Sequence, residues 1–514
     1  MDKNKHSFTQ TIQKPRQTVR IERLAHHAPG VAHAEDGKVV FVADAAPGDL
    51  LQIVLDVDKG SYYEAHIDQI VEPSPVRVEP VCPLYAHCGG CSWQHIAYES
   101  QTLAKRATLV DALERIAHFS AVRAEALVEQ CRPSLPLYYR NKLELAAAHD
   151  SEKGFLLGLY GRGANPGDKT QRLATPDACL LAHEAIAAAP RALRGALRYA
   201  QGSSDLGIYR VGLRHSETTG SLEVALWTEP GAVARFPRDR VAKLVTDALG
   251  ATSVVRLVAS RERMREVRKV EVLAGRGYWA ERLAGLRFYT SAPSFFQVNT
   301  AQAEVLIELV KGFLSGLAGA GGAAADAAGA APAAPAPAPP APAASSLRGL
   351  RVADLYAGGG TFSLPLAGAG AEVVAVESVG FSVRDFRRNA ELNGLAGEMI
   401  GGDSERELPD LGPVDACIVD PPRAGLTKGA LGAIVQSACE RVISISCNPA
   451  TWARDVARFE QAGYELQQAV PVDLFPQTPH VEIASLLVHT PAPSSLRPTS
   501  LAPLRSYGEA DIMK

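Results

Sequence analysis

Three absences narrow the field before any residue is singled out. The chain has no surplus of either charge: 53 Lys and Arg against 56 Asp and Glu leave a net charge of −3 at pH 7. A whole-surface attraction to polyanions is thereby excluded, and any nucleic-acid footprint must be local. No stretch is long and apolar enough to cross a bilayer, and the Ala-rich run after Gly319 is studded with prolines that a helix cannot carry. The opening Met1-Asp2-Lys3-Asn4-Lys5-His6 is polar and lacks the apolar centre of a signal peptide. A cytoplasmic location away from membranes is therefore expected. Cysteine is sparse, eight in 514 residues, so where thiols cluster they suggest a metal or catalysis before disulfides.

What is present, 46% apolar and 21% charged residues, is the balance of a soluble globular protein with room for about three domains. Residues 11–72 carry short alternating apolar runs at 18–21, 38–42, 50–55 and 62–67, parted by Pro29-Gly30, Asp36-Gly37, Pro47-Gly48 and Lys59-Gly60. Turn signals at hairpin spacing predict a small closed barrel of the OB kind, a fold that commonly binds single-stranded or looped nucleic acid.

A region of mixed strands and helices, residues 73–300, follows. It opens on Cys82, Cys88 and Cys91, with Gly89-Gly90 letting the backbone wrap tightly round a centre. Cys179 is the best fourth ligand, because Cys131 follows a helical stretch without turn chemistry. Four thiolates suit an iron–sulfur cluster and structural zinc equally. A local basic footprint, or else a solvated face of mixed charge, lies between Arg256 and Arg276. The region ends in Ser294-Phe295-Phe296-Gln297-Val298-Asn299, ahead of a helix over 300–314 capped by Asn299 or Thr300. The Ala/Pro-rich residues 316–346 and the tail 491–514 are too poor in apolar surface to order themselves and are expected to be flexible.

Residues 347–490 read as strand, glycine turn, helix. A strand over 350–356 leads to Ala357-Gly358-Gly359-Gly360-Thr361, and a second strand, 372–376, ends at the acid Glu377. That is the logic of a nucleotide-binding βαβ unit, with the acid set for a ribose diol. Phe362-Ser363 occupies the place where a pyrophosphate reader keeps its third glycine, and Asp354 precedes the turn. An acid there suits the cationic methionyl end of S-adenosylmethionine better than phosphates. Asp403 closes the third strand, placed for the adenine edge; Asp420-Pro421-Pro422-Arg423 follows the fourth.

The fifth strand, 442–446, breaks at Cys447-Asn448-Pro449, which puts a thiol at a strand's carboxyl end, where open α/β sheets do chemistry. Enzymes that methylate exocyclic amines stack the base on an aromatic, and Arg423 stands where that ring belongs. Carbon methylation explains the thiol instead. Carbon 5 of uracil is a feeble nucleophile until a thiolate adds to carbon 6, and a base must afterwards remove the carbon-5 proton. Glu482 is the candidate base, and Asp420 is placed for the pyrimidine's polar edge.

Ser446-Cys447-Asn448-Pro449, Asp420-Pro421-Pro422-Arg423, residues 294–299, His480-Val481-Glu482 and the cysteine loop together resemble the RNA (uracil-5-)-methyltransferases, specifically the iron–sulfur branch that modifies 23S ribosomal RNA. The resemblance implies a class I, Rossmann-like domain that uses S-adenosylmethionine, an N-terminal TRAM barrel and a central α+β domain. It implies Cys447 as nucleophile and Glu482 as base, with Gln297, Tyr356, Thr361, Glu377, Asp403 and Asp420 contacting S-adenosylmethionine or the uracil. It also implies that Cys82, Cys88, Cys91 and Cys179 hold a [4Fe–4S] cluster, and that the enzyme works as a monomer. Transfer RNA is the alternative substrate, and a non-catalytic RNA-binding protein the alternative class.

Overall fold

The structure, a computed structural model, describes residues 14–25, 29–150, 154–162, 173–202, 205–229, 236–259, 266–318 and 347–490. Of the stretch expected to be a linker, 316–318 belong to the helix Thr300–Ala318, while 319–346 and the tail 491–514 lie outside the described residues.

Near the N-terminus six strands form one sheet in the order Arg16–Arg20, Leu50–Asp58, Tyr62–Glu72, Val39–Val42, Gly30–His33, Arg23–Leu24. The two ends of that order are consecutive in the chain, parted only by Ile21 and Glu22, so one bent strand both opens and closes the sheet. Alternation fixes its inside: Val40 and Val42 are buried while Val39 and Phe41, alternating with them, are half-exposed.

A second sheet has seven strands in the order Val267–Gly275, Ser253–Ala259, Leu222–Thr228, Ile208–His215, Lys142–Asp150, Gly154–Tyr160, Leu173–Ala174. Lys142–Asp150, the earliest of these strands in the chain, begins only after Tyr138, whose φ of 56° breaks the extended run. The basic segment divides: Arg268, Lys269 and Arg276 are exposed, while Arg256 turns inward. Arg256 is buried, stacked 4.3 Å over Phe236, and shares Glu271 with Arg238 and Lys269. Arg261, Arg263 and Arg265 lie outside the described residues.

The third sheet is built from β1 (Arg351–Leu355), β2 (Glu372–Glu377), β3 (Glu398–Gly401), β4 (Ala416–Val419), β5 (Arg441–Ser446), β6 (Tyr464–Val472) and β7 (Glu482–His489). Their order is β3-β2-β1-β4-β5-β7-β6, parallel except for the β6–β7 hairpin, which joins β5 through antiparallel β7. One face is covered by the helices Tyr98–Arg115, Ala121–Leu127, Lys428–Ser437 and Pro449–Gln461, through Leu109, Leu113, Ile434 and Trp452. The other is covered by Thr300–Ala318, Gly380–Asn393 and a hairpin, Trp279–Leu283 and Leu286–Thr290, through Trp279, Phe288, Leu306 and Phe386. Segments on both sides of the second sheet thus wrap the third. The hairpin escaped the sequence reading because its two-residue turn puts an alanine, Ala284, at φ 49° ahead of Gly285 at φ 78°, where two φ-positive residues normally announce themselves as Asn-Gly or Asp-Gly.

Candidate active site

The carboxyl ends of β1, β2, β4 and β5 lie along one edge of the third sheet, and antiparallel β7 begins there. Open α/β sheets place their ligands at such an edge. Every loop that the sequence singled out in residues 347–490 emerges on it.

Cys447 lies one residue past β5. Its strand cannot continue, because Asn448 turns to cap the helix Pro449–Gln461, its Oδ1 accepting from Ala450 N at 3.1 Å, and Pro449 has no N–H to lend a ladder. Ser446 pairs with Ile483, so in continued register Cys447 faces Glu482 at the start of β7. Asp420 leaves the neighbouring β4 by the same edge.

These groups feel one another. Burial, then the negative charges of Glu482 and Asp420, push the Cys447 thiol up to about 11, against the counter-charge of Arg423, which also hydrogen-bonds it. Burial lifts the Asp420 carboxyl to about 7, helped by Asp354. Glu482, buried and beside Asp420, is held well above the usual carboxylate range, with Arg423 pulling the other way. Asp354 is fully buried and also rises to about 7; its Oδ2 accepts from Ser363 Oγ, while Oδ1 has no partner. Charge on Asp354 thus disfavours charge on Asp420, and charge on Asp420 disfavours charge on Glu482.

The glycine turn after β1 is shaped for close approach. Gly360, at φ 96°, leaves no room for a side chain, since a Cβ there would come within 2.8 Å of Leu364. Glu377, at the end of β2, fixes the turn: its Oε2 accepts from Gly358 N at 2.9 Å and its Oε1 from Val379 N at 2.7 Å. Tyr356 follows β1 at φ 66°, half-buried and close enough to Asp403 to feel its charge. Asp403 caps the short helix Ser404–Glu407, accepting from Glu405 N at 2.9 Å, and Thr361 closes the turn half-buried. Gln297 is buried on the segment before Thr300–Ala318, where its carbonyl accepts from Asn141 Nδ2 at 2.8 Å. Asn299, two residues on, caps that helix with its Oδ1 accepting from Gln302 N at 3.2 Å. The structure therefore gathers Cys447, Glu482 and Asp420, and separately Tyr356, Glu377 and Asp403, on one sheet edge.

Sequence reasoning missed Arg423 as the partner of the thiol, reading it only as a replaced aromatic. The signal was there: Arg423 stands three residues after Asp420, on the turn that leaves the strand next to Cys447. A cavity of about 380 Å³ lined by Ser92, Arg140, Arg423, Thr478 and His480 connects this thiol's surroundings to the cysteine loop.

That loop is folded by short-range turns, with Cys88 N donating to Leu84 O at 2.8 Å and Gly90 N to Cys88 Sγ at 3.4 Å. Arg162 locks it to the second sheet, stacking 4.1 Å over Tyr85 and donating to Tyr85 O and Cys91 O, and reaches Asp44 of the first sheet by a salt bridge. Cys82, Cys88, Cys91 and Cys179 line one cavity of about 230 Å³. Cys131 lies elsewhere, beside Asp473 and Lys105. Burial drives the Cys91 thiol up to about 12 and raises that of Cys88; the other thiols of the cavity add to both. Among the described residues, no three His, Cys, Asp or Glu side chains are close enough to hold a metal ion.

A family model described as tRNA (Uracil-5-)-methyltransferase matches residues 410–490, the stretch that carries Asp420, Cys447 and Glu482. Relatives match far more of the chain. An uncharacterised RNA methyltransferase of Thermosynechococcus vestitus is 34% identical over 477 residues, 91% of this chain and 97% of its own length. Another, of Gloeobacter violaceus, is 34% identical over 487 residues, 91% and 96% of the two chains. The chain belongs to the RNA (uracil-5-)-methyltransferase family. It is an S-adenosylmethionine-dependent RNA (uracil-C5)-methyltransferase with the class I fold. A solved structure of that fold, the Pyrococcus abyssi tRNA (uracil-54, C5)-methyltransferase in complex with S-adenosyl-L-homocysteine, superposes with a TM-score of 0.66 at 24% identity, covering 92% of this chain and 99% of its own.

Proposed function

We propose that this methyltransferase modifies carbon 5 of a uridine in 23S ribosomal RNA through a covalent bond between Cys447 Sγ and carbon 6 of the base. The observation that carries the reading is the facing of Cys447 and Glu482 across β5 and β7, with Asp420 and Arg423 beside them. S-Adenosylmethionine supplies a methyl group made electrophilic by its sulfonium. Glu377, Tyr356, Thr361, Asp403 and Gln297 are the residues proposed to hold it, the first four lying along the ends of β1 to β3.

The Cys447 thiol first loses its proton to solvent water, with Arg423 offsetting the negative charge left on sulfur, and the thiolate then adds to carbon 6. The ring electrons move to carbon 5, which bonds to the incoming methyl as the donor's carbon–sulfur bond breaks. Asp420 holds the pyrimidine edge. Glu482 then takes the carbon-5 proton, the ring double bond re-forms, and Cys447 leaves as the thiolate. Its raised affinity for protons suits Glu482 to that last task, because a general base works best when its pKa approaches the operating pH.

Cys82, Cys88, Cys91 and Cys179 are proposed to hold a [4Fe–4S] cluster, which would replace their protons with metal charge and stiffen the loop. The first sheet, within residues 11–72, is proposed as a TRAM-like RNA-docking module and residues 73–300 as the central domain, in a cytoplasmic monomer. Transfer RNA is the second reading, favoured by the family description and by the tRNA substrate of the Pyrococcus abyssi protein. Incubating anaerobically purified enzyme and labelled methyl donor with unmodified 23S ribosomal RNA and with unmodified transfer RNA, then mapping 5-methyluridine, decides between them. Methylation of transfer RNA alone overturns the first reading, and a preparation without visible iron–sulfur absorption overturns the cluster.

A further inference from the structure

Residues 475–477 offer three successive carbonyls to three separate parts of the chain. Phe475 O accepts from Lys105 Nζ at 3.1 Å, Pro476 O from Tyr139 Oη at 3.1 Å, and Gln477 O from both Ser92 N and Trp93 N at 3.0 Å each. Gln477 is where the segment turns, at φ 68°, a left-handed conformation that disfavours any residue with a Cβ. Its remaining polar atoms are all engaged. Gln477 N donates to Gln101 Oε1 and its Oε1 accepts from Gln101 Nε2, both at 2.9 Å, while its Nε2 donates to Pro136 O at 3.3 Å. Gln101, fully buried, also donates to Trp93 O at 3.0 Å and Ile96 O at 2.8 Å.

The position of this knot in the chain gives it meaning. Ser92 and Trp93 directly follow Cys91, and Gln477 precedes His480 by three residues and Glu482 by five. Ser92, Thr478 and His480 line the same cavity as Arg423, which touches the Cys447 thiol. The last turn of the cysteine loop and the segment that delivers the catalytic carboxylate therefore share one carbonyl, and a strained residue aims it.

We propose that Gln477 is a positioning residue that transmits the conformation of the cysteine loop to Glu482. If its backbone relaxes to negative φ, the carbonyl swings away, both N–H bonds from the loop are lost, and Glu482 shifts against Cys447. Displacing a reacting group by about 1 Å costs on the order of a hundredfold in rate. The state of the four thiols thereby sets the rate of methyl transfer by geometry alone, with no electron passing to the substrate. This rests on the reading of Cys447 and Glu482 as the reacting pair.

The test compares Gln477→Val, whose branched side chain opposes positive φ, with Gln477→Gly, which accepts it, in the full-length enzyme. Gln477→Val is expected to speed hydrogen exchange in peptides spanning 88–96 and 473–485 by about tenfold. It should lower single-turnover methyl transfer by about a hundredfold with KM for RNA little changed. Gln477→Gly, which keeps the backbone conformation but loses the side-chain bonds to Gln101 and Pro136, should lie between Gln477→Val and the native protein in both readouts. Equal rates for the valine and glycine variants, or unchanged exchange over 88–96 in Gln477→Val, overturn the proposal. Cys88→Ser supplies an independent arm. It should raise exchange over 473–485, and joined to Gln477→Val it should lower the rate no further, whereas fully additive losses overturn the coupling. Should Gln477→Val not fold, Gln477→Ala and the Cys88→Ser exchange arm decide. Exchange does not depend on uracil chemistry, so full activity in Cys447→Ala would remove the reacting pair while leaving the loop coupling to stand or fall by its own measurement.

Discussion

Cys447 and Glu482 stand opposite each other where the antiparallel ladder of β5 and β7 runs out, one residue beyond the Ser446–Ile483 pair. A thiol and a carboxyl so placed repel each other's charged forms: Glu482 raises the thiol, and burial keeps Glu482 protonated well above its usual range.

Replacing Cys447 by Ala should abolish methyl transfer, by on the order of 10⁴-fold or more, because the proposed bond to carbon 6 is lost with the sulfur. Calorimetric titration with S-adenosylmethionine should still give normal binding, since β1 to β3 are untouched. Near-normal turnover would remove Cys447 from the reaction.

Glu482→Gln should let Cys447 add and the methyl transfer, then stall before elimination. The steady-state rate falls by about 10²- to 10⁴-fold. A protein–RNA species of retarded mobility should persist in denaturing gels, and its absence would assign the proton removal to another group.

The pH profile follows from the same shifts. With the Cys447 thiol up at about 11 and Glu482 raised, both the thiolate nucleophile and the carboxylate base gain population as pH rises. The rate constant kcat/KM should therefore climb from pH 6 to pH 9 without an early plateau, by up to about tenfold per unit. Arg423→Gln, which removes the counter-charge, should move the profile further alkaline. A profile flat above pH 6 would contradict the raised thiol.

Asp354 links stability to pH. Its carboxyl, fully buried, rises from an ordinary 3.8 to about 7 in the folded chain. Between those values the unfolded chain sheds the proton while the folded one keeps it, so this residue's contribution falls as pH rises through that window and is lowest above it. Asp354→Asn should accordingly gain in Tm relative to the native protein as pH is raised from 4 to 8, read by thermal unfolding at each pH. A Tm difference that stays constant with pH would show that Asp354 is already ionised when folded.

Much of this was readable before any coordinates. Strand periodicity and glycine turns located most strands of the third sheet, and the break at Asn448-Pro449 put Cys447 at a strand end. Glu377 was legible because the turn-to-acid spacing follows from helix and strand lengths. The hairpin at 279–290 was hidden by an alanine at positive φ, and the basic segment from Arg256 looked like a surface because sequence does not say that Glu271 answers Arg256 and Lys269 together with the distant Arg238.

By itself the sequence determined local matters: which residues alternate, where chains must turn, and which side chains own the chemistry of thiol, carboxylate and guanidinium. Periodicity and φ preferences act over a few residues, and so they survive in one dimension. Only the tertiary structure decided that Arg423 would touch Cys447, that Asp354 would be sealed behind the turn, and that the carbonyl of Gln477 would be shared with the cysteine loop nearly four hundred residues earlier, a separation on the order of the chain itself. Burial and long-range register set those contacts, and with them the protonation of the site; neither is written in any short stretch of the chain.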